Sequence, residues 1–83
     1  IGWTRQLATT LAEYDIRANA LSLGGLREPS HDEYFLENYN ERTPMGRMAR
    51  ADDVRGPIVF LASEASGYMT GANLVIDGGW TAW

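Results

Sequence analysis

The stretch Asp52–Trp80, DDVRGPIVFLASEASGYMTGANLVIDGGW, decides the fold. Val54, Ile58, Leu61 and Ala62 recur at helical spacing, which predicts a helix over Asp52–Ser63 with these residues on one face. Val59 and Phe60 add apolar surface outside that stripe, so the helix should have more than one neighbour. Asp52 and Asp53 stand where negative charge favours a helix N-terminus. Pro57 removes one backbone donor and is expected to bend the first turns. A break over Ser66–Gly71, with single-turn helical character, leads to Leu74–Ile76. That run is apolar and bounded by Gly71 and Gly78-Gly79, as suits a strand covered on both faces in a parallel sheet.

Working outward, Ile1–Tyr14 reads as a helix, with Trp3, Leu7 and Leu11 in four-residue steps and Ala8 and Ala12 widening the stripe. It has no capping residue at its start, and the chain begins at Ile1 within the helical pattern; both suggest a truncated beginning. Asp15 follows where a left-handed turn is needed. Ile16–Ser22 (IRANALS) reads as the first strand, broken by Leu23-Gly24-Gly25-Leu26. Paired glycines there allow either a tight turn or close approach of the backbone to a ligand. Ser30 and Glu33 have capping-box spacing, which predicts a helix from His31 to about Asn40 with Tyr34, Phe35 and Tyr39 on one side. This segment reads either as a mobile lid over a substrate or as a surface helix on the sheet edge. Thr43-Pro44 ends it.

Length and composition narrow the function. Eighty-three residues allow one domain, with a marginal core. The chain contains no cysteine, so it has neither a disulfide nor a cysteine metal site, and a reducing cytoplasm is the expected setting. A net charge of -4 disfavours nucleic acid, and no apolar run reaches the length of a membrane span. His31 is the single histidine and has no ligating companion, so it reads as a solvated first-turn residue. The acids Asp52-Asp53 suit the helix dipole better than paired-carboxylate catalysis, and Asp77-Gly78-Gly79 lacks the alternating acids of a calcium loop. No catalytic constellation and no metal site emerges. A helix joining two strands implies a right-handed parallel crossover, and ligands of open α/β sheets bind beyond the carboxyl ends of strands. Leu23–Glu28 leaves such an end and is the best candidate site.

The residues also resemble a known family. Ile16-Arg17-x-Asn19-Ala20 with Gly24, then Pro44-Met45-Gly46-Arg47, then Phe60-Leu61-Ala62-Ser63 with Ser66, Tyr68, Thr70-Gly71 and Asp77-Gly78-Gly79 resemble, in order and spacing, the C-terminal part of a short-chain dehydrogenase/reductase. The resemblance implies an α/β fold, the C-terminal portion of a Rossmann-type doubly wound parallel sheet: helix, strand, lid helix, crossover helix, strand. It places residues 1–83 in one such domain, with the cofactor-binding N-terminal half outside it. It implies NAD or NADP as cofactor and hydride exchange between an alcohol and a carbonyl substrate.

By position, Leu23, Gly24, Gly25 and Leu26 match the turn beside the nicotinamide, and Leu26 the residue whose backbone meets the carboxamide. Glu28 falls where the family often has Thr, and Leu23 where it usually has Pro. A carboxylate at Glu28 would sit near the cofactor diphosphate unless it turns away or meets Arg27. The resemblance assigns Tyr34, Phe35 and Tyr39 to a substrate lid. It assigns the Asp52–Ser63 helix and the last strand to a homodimer or homotetramer interface, to which Trp80 and Trp83 would add apolar surface. The family's Tyr-x-x-x-Lys pair cannot lie in this chain, which has no lysine, so the catalytic residues would lie elsewhere and these residues alone should be inactive. The rival reading is a non-catalytic self-association module of the same fold.

Overall fold

In the computed structural model, which describes residues 1–82, the elements run α1 (Gly2–Leu11), β1 (Ala20–Leu23), α2 (Glu33–Glu41), α3 (Ala51–Ala62) and β2 (Asn73–Ile76). Strands β1 and β2 pair in parallel, with Ala20 opposite Asn73, Leu21 opposite Leu74, Ser22 opposite Val75 and Leu23 opposite Ile76. The alternation of helix and strand and the parallel pairing are as the sequence implied. Trp83 lies outside the described residues, and with it the expected contribution of that side chain to an interface.

Several boundaries differ from expectation, each for a local reason. The first strand occupies Ala20–Leu23 and not the full span 16–22. Residues 16–19 are not paired as strand: Ile16 N–H donates back to Leu11 O, Gly71 N–H donates to Ala18 O at 2.7 Å, and Ala18 N–H donates to Thr70 Oγ1 at 3.1 Å. Asn19 uses its side chain as a strand would use its backbone, donating to Met69 O and accepting from Ala72 N–H, both at 3.0 Å. Helix α2 begins at Glu33, because Asp32 and not Ser30 caps it: Asp32 Oδ1 accepts from Phe35 N–H at 2.8 Å. A short 3₁₀ turn, Ala12–Tyr14, extends α1, and Asp15 then takes the left-handed conformation at φ 59°. The single helical turn expected near 66–71 lies at Glu64–Ser66. Helix α3 runs through Pro57 without interruption.

One cation organises the region after α3. The Arg17 guanidinium donates to the carbonyls of Leu61, Ser63, Ser66 and Met69 at 2.7–3.2 Å. The last carbonyls of a helix have no partner within it, and a planar guanidinium can serve several at once. Arg17 therefore fastens the end of α3 and the turn beyond it to the chain entering β1.

The buried apolar residues among those described are Ala8 and Met48. Elsewhere the apolar stripes lie open. Trp3 is 80% exposed, Val59 60% and Ile58 51%, and Val75 on β2 is 47% exposed, so the strands are not covered on both faces. The molecule is drawn out, 50 Å by 23 Å by 20 Å.

Candidate functional site

The site is built where β1 ends. Gly24 N–H donates to Ile76 O at 2.9 Å, keeping the chain against β2 for one more residue. The chain then turns toward the segment before α3: Ala49 N–H donates to Gly25 O at 2.8 Å and Arg27 N–H to Ala49 O at 2.9 Å. Leu26 and Ala49 thus form an isolated parallel bridge. In such a bridge the flanking peptides are engaged, while the amide and carbonyl of the central residue point the other way. The Leu26 N–H and C=O have no hydrogen-bond partner among the described residues, and the side chain is 42% exposed.

Neither glycine has a positive φ, so left-handed geometry is not the reason for them. The reason is space. A Cβ on Gly24 would lie 3.0 Å from Asp77 Cα, and one on Gly25 would lie 2.6 Å from the Tyr39 Cζ and Oη atoms and 2.8 Å from Met48 Cε. In this structure the close approach is made by the chain's own Tyr39, Asp77 and Met48. At Asp77-Gly78-Gly79 both causes act: Gly78 and Gly79 have φ 62° and 93°, and Cβ atoms there would meet Thr43 and Pro44. A cavity of about 420 Å³ opens beside the turn, lined in part by Gly24, Gly25, Tyr39, Asp77 and Trp80.

Helix α2 sends a ladder of rings toward this turn. His31 stacks on Phe35 at 4.6 Å between ring centroids, Phe35 lies 6.3 Å from Tyr39, and Tyr39 stacks on Trp80 at 4.8 Å. The Tyr39 hydroxyl oxygen accepts from Gly25 N–H at 2.6 Å. Tyr34 stands off the ladder, 78% exposed. The three aromatics grouped by the sequence therefore divide: Phe35 and Tyr39 share a face and Tyr34 does not. His31 is not a freely solvated residue either. Its Nδ1 accepts from Glu28 N–H at 3.1 Å, which aligns the start of the ring ladder with the turn. The signal for His31 was its four-residue spacing from Phe35 and Tyr39.

Two carboxylates hold the frame. Arg47 grips Asp53 through both guanidinium nitrogens, at 2.6 and 3.1 Å, and Asp53 also accepts from Arg50 N–H at 2.8 Å. These bonds, the one from Arg47 foremost, lower the Asp53 pKa to about 2. Asp53 is thus more than a dipole partner of α3: it locks the 47–50 segment that carries Ala49. Asp77 accepts from the Thr81 hydroxyl at 2.7 Å and from the Gly79 and Thr81 N–H groups, and its pKa falls chiefly because of Thr81. Glu28 is exposed, and it forms no ion pair with Arg27 among the described residues; Ser30 Oγ approaches its carboxylate at 3.5 Å. No cluster of three or more metal-ligating side chains occurs among the described residues. Sequence reasoning missed the part of Trp80 in this site, because its partner Tyr39 lies on a different element.

Comparison with known proteins bears on this geometry. A family model described as enoyl-(acyl carrier protein) reductase matches residues 1–81. The L-rhamnose 1-dehydrogenase (NAD(P)(+)) of Azotobacter vinelandii is 43% identical over 87% of this chain and 30% of its own length. The ribulose-forming D-arabinitol 2-dehydrogenase of Scheffersomyces stipitis is 44% identical over 95% of this chain and 31% of its own length. A short chain dehydrogenase from Leptospira borgpetersenii, crystallised with bound NAD+, superposes with a TM-score of 0.91 at 44% identity, over 96% of this chain and 31% of that one. The chain therefore spans about a third of the length of the relatives it matches.

Proposed function

Because this chain belongs to the short-chain dehydrogenase/reductase family, we propose that a family-length protein carrying it is an NAD(P)-dependent oxidoreductase. It exchanges a hydride between an alcohol and a carbonyl on a small polar substrate of the sugar or polyol class. The substrate class rests on the names of the two dehydrogenase relatives. The observation that carries the cofactor reading is the turn at the end of β1. Leu26 offers an unpartnered N–H and C=O side by side, the complement of a carboxamide, at the strand end where open α/β sheets bind ligands. A nicotinamide cofactor, when bound, supplies or accepts the hydride.

The residues of this segment bind and shape. Leu23, Gly24, Gly25 and Leu26 form the wall for the nicotinamide, with Leu26 holding the carboxamide. Glu28, exposed and without a cationic partner among the described residues, disfavours a second negative charge close by, so the diphosphate lies away from it. Helix α2 forms the lid over the substrate, with Phe35 and Tyr39 on the face toward it and Tyr34 at its exposed rim. Proton transfer falls to residues outside this segment, since it contains no lysine and its one histidine is turned to Glu28 and Phe35. The open faces of α3 and β2 are where two copies meet, as a homodimer or homotetramer.

The test is turnover. The family-length protein, offered NAD+ or NADP+ with a panel of sugars and polyols, should show substrate-dependent appearance of reduced nicotinamide. The 83 residues alone should show none, and no micromolar dinucleotide binding. Binding of that strength by the short chain, or a family-length protein indifferent to both dinucleotides, contradicts the proposal.

A further inference from the structure

The hydrogen bond from Gly25 N–H to Tyr39 Oη joins a turn and a helix that are 14 residues apart in sequence. We propose that Tyr39 is a positioning residue for the cofactor turn: its phenol oxygen fixes the Gly24–Gly25 peptide and so sets the direction in which the Leu26 backbone faces. The inference rests on the oxidoreductase reading and adds to it a link between the helix over the substrate and the turn under the nicotinamide.

Two successive glycines have more accessible backbone conformations than any other pair, so this turn does not hold its shape by itself. Neighbouring backbone fixes part of it. Gly24 N–H is held by Ile76 O, and the peptides on either side of Leu26 are held by Ala49. The Gly25 N–H lies between these anchors, and its partner is a side chain. That side chain is itself constrained. The Tyr39 ring stacks on Trp80 with 26° between planes, Phe35 flanks it, and Thr43 Oγ1 donates to the Tyr39 carbonyl at 2.9 Å from a buried position. A ring so placed puts its oxygen at one point, and 2.6 Å is a short bond for an N–H donor. Displacement of α2 would move this oxygen and release the peptide. No backbone partner of the turn has that dependence on the helix.

A bland alternative is that Tyr39 only satisfies a half-buried N–H. The two are separable because the turn lies at one end of the dinucleotide. The experiment uses the family-length protein, wild type and Tyr39→Phe, and titrates the preferred dinucleotide against its fragment lacking nicotinamide (ADP-ribose for NAD+, 2′-phospho-ADP-ribose for NADP+). Tyr39→Phe keeps the ring stack and loses only the oxygen. Dinucleotide affinity should fall about five- to tenfold, the equivalent of one hydrogen bond, with affinity for the fragment unchanged. Equal weakening of both ligands, or no weakening of the dinucleotide, overturns the positioning role while leaving the oxidoreductase reading intact. A wild-type protein that binds neither dinucleotide overturns both.

Discussion

Adding a single methyl group at Gly25 should damage this protein out of proportion to its size. The new Cβ would lie 2.6 Å from the Tyr39 Cζ and Oη atoms and 2.8 Å from Met48 Cε, where ordinary contact begins near 3.4 Å. The Met48 methyl can swing aside. The Tyr39 ring cannot easily do so, because Trp80 lies against it at 4.8 Å and Phe35 flanks it. Over-packing of this kind costs about 1–3 kcal/mol, and the displaced phenol loses its bond to Gly25, adding about 1 kcal/mol. Gly25→Ala should therefore cost roughly 2–4 kcal/mol, a fall in Tm of roughly 5–15 °C for a family-length domain. Differential scanning fluorimetry and urea unfolding of that protein would measure it. Removing the obstacle should restore much of the loss, so Gly25→Ala combined with Tyr39→Leu should be less destabilised than the sum of the two single changes, by about 1–2 kcal/mol. Gly56, with nothing within 4 Å of its would-be Cβ beyond its chain neighbours, is the control: Gly56→Ala should carry no over-packing cost, only the smaller strain of a helical alanine before Pro57. A neutral Gly25→Ala, or strictly additive costs in the double variant, would refute the packing argument.

The remaining predictions concern the frame and the surface. Asp53 has its pKa lowered from 3.8 to about 2, so its contribution to stability is present above about pH 4 and is lost as pH falls toward 2. Asp53→Asn should accordingly lower Tm at pH 6 and converge on wild type near pH 2, and a constant offset across that range would count against the Arg47–Asp53 clamp. Arg17→Met strips donors from the carbonyls that follow α3 and should cost about 2–4 kcal/mol in urea unfolding, with Arg17→Lys recovering only part, since an ammonium cannot span the same acceptors. Phe60→Glu on the open face of α3 should shift the family-length protein toward monomer in sedimentation velocity; an unchanged assembly would place the interface elsewhere.

The parts of this fold that were legible in sequence are those set by periodicity. The helical steps of 54, 58, 61 and 62 located α3 within a residue, and the short apolar run at 74–76 located β2. Asp15 was legible because few residues other than glycine tolerate the left-handed region it occupies. Boundaries failed where side chains imitate backbone. Asn19 and Arg17 complete the hydrogen bonding of loops across about 50 residues of sequence, so residues 16–19 look like strand and are not paired as one. The cap of α2 fell to Asp32 because two residues in that segment have capping chemistry, and spacing alone favoured the wrong one. The turn 23–26 was legible as the break after β1, but the reason for its glycines was not. Crowding by Tyr39 and Asp77 is a property of the folded chain, and a glycine needed for space reads the same as one needed for a ligand.

The most direct test of the account is a crystal structure of the family-length protein with NAD+ or NADP+ bound. The account predicts the nicotinamide against the Leu23–Leu26 turn, its carboxamide hydrogen-bonded to the Leu26 N–H and C=O, with Tyr39 Oη still on Gly25 N–H. A nicotinamide ring seated away from this turn, with the Leu26 amide pointing into solvent, would contradict it.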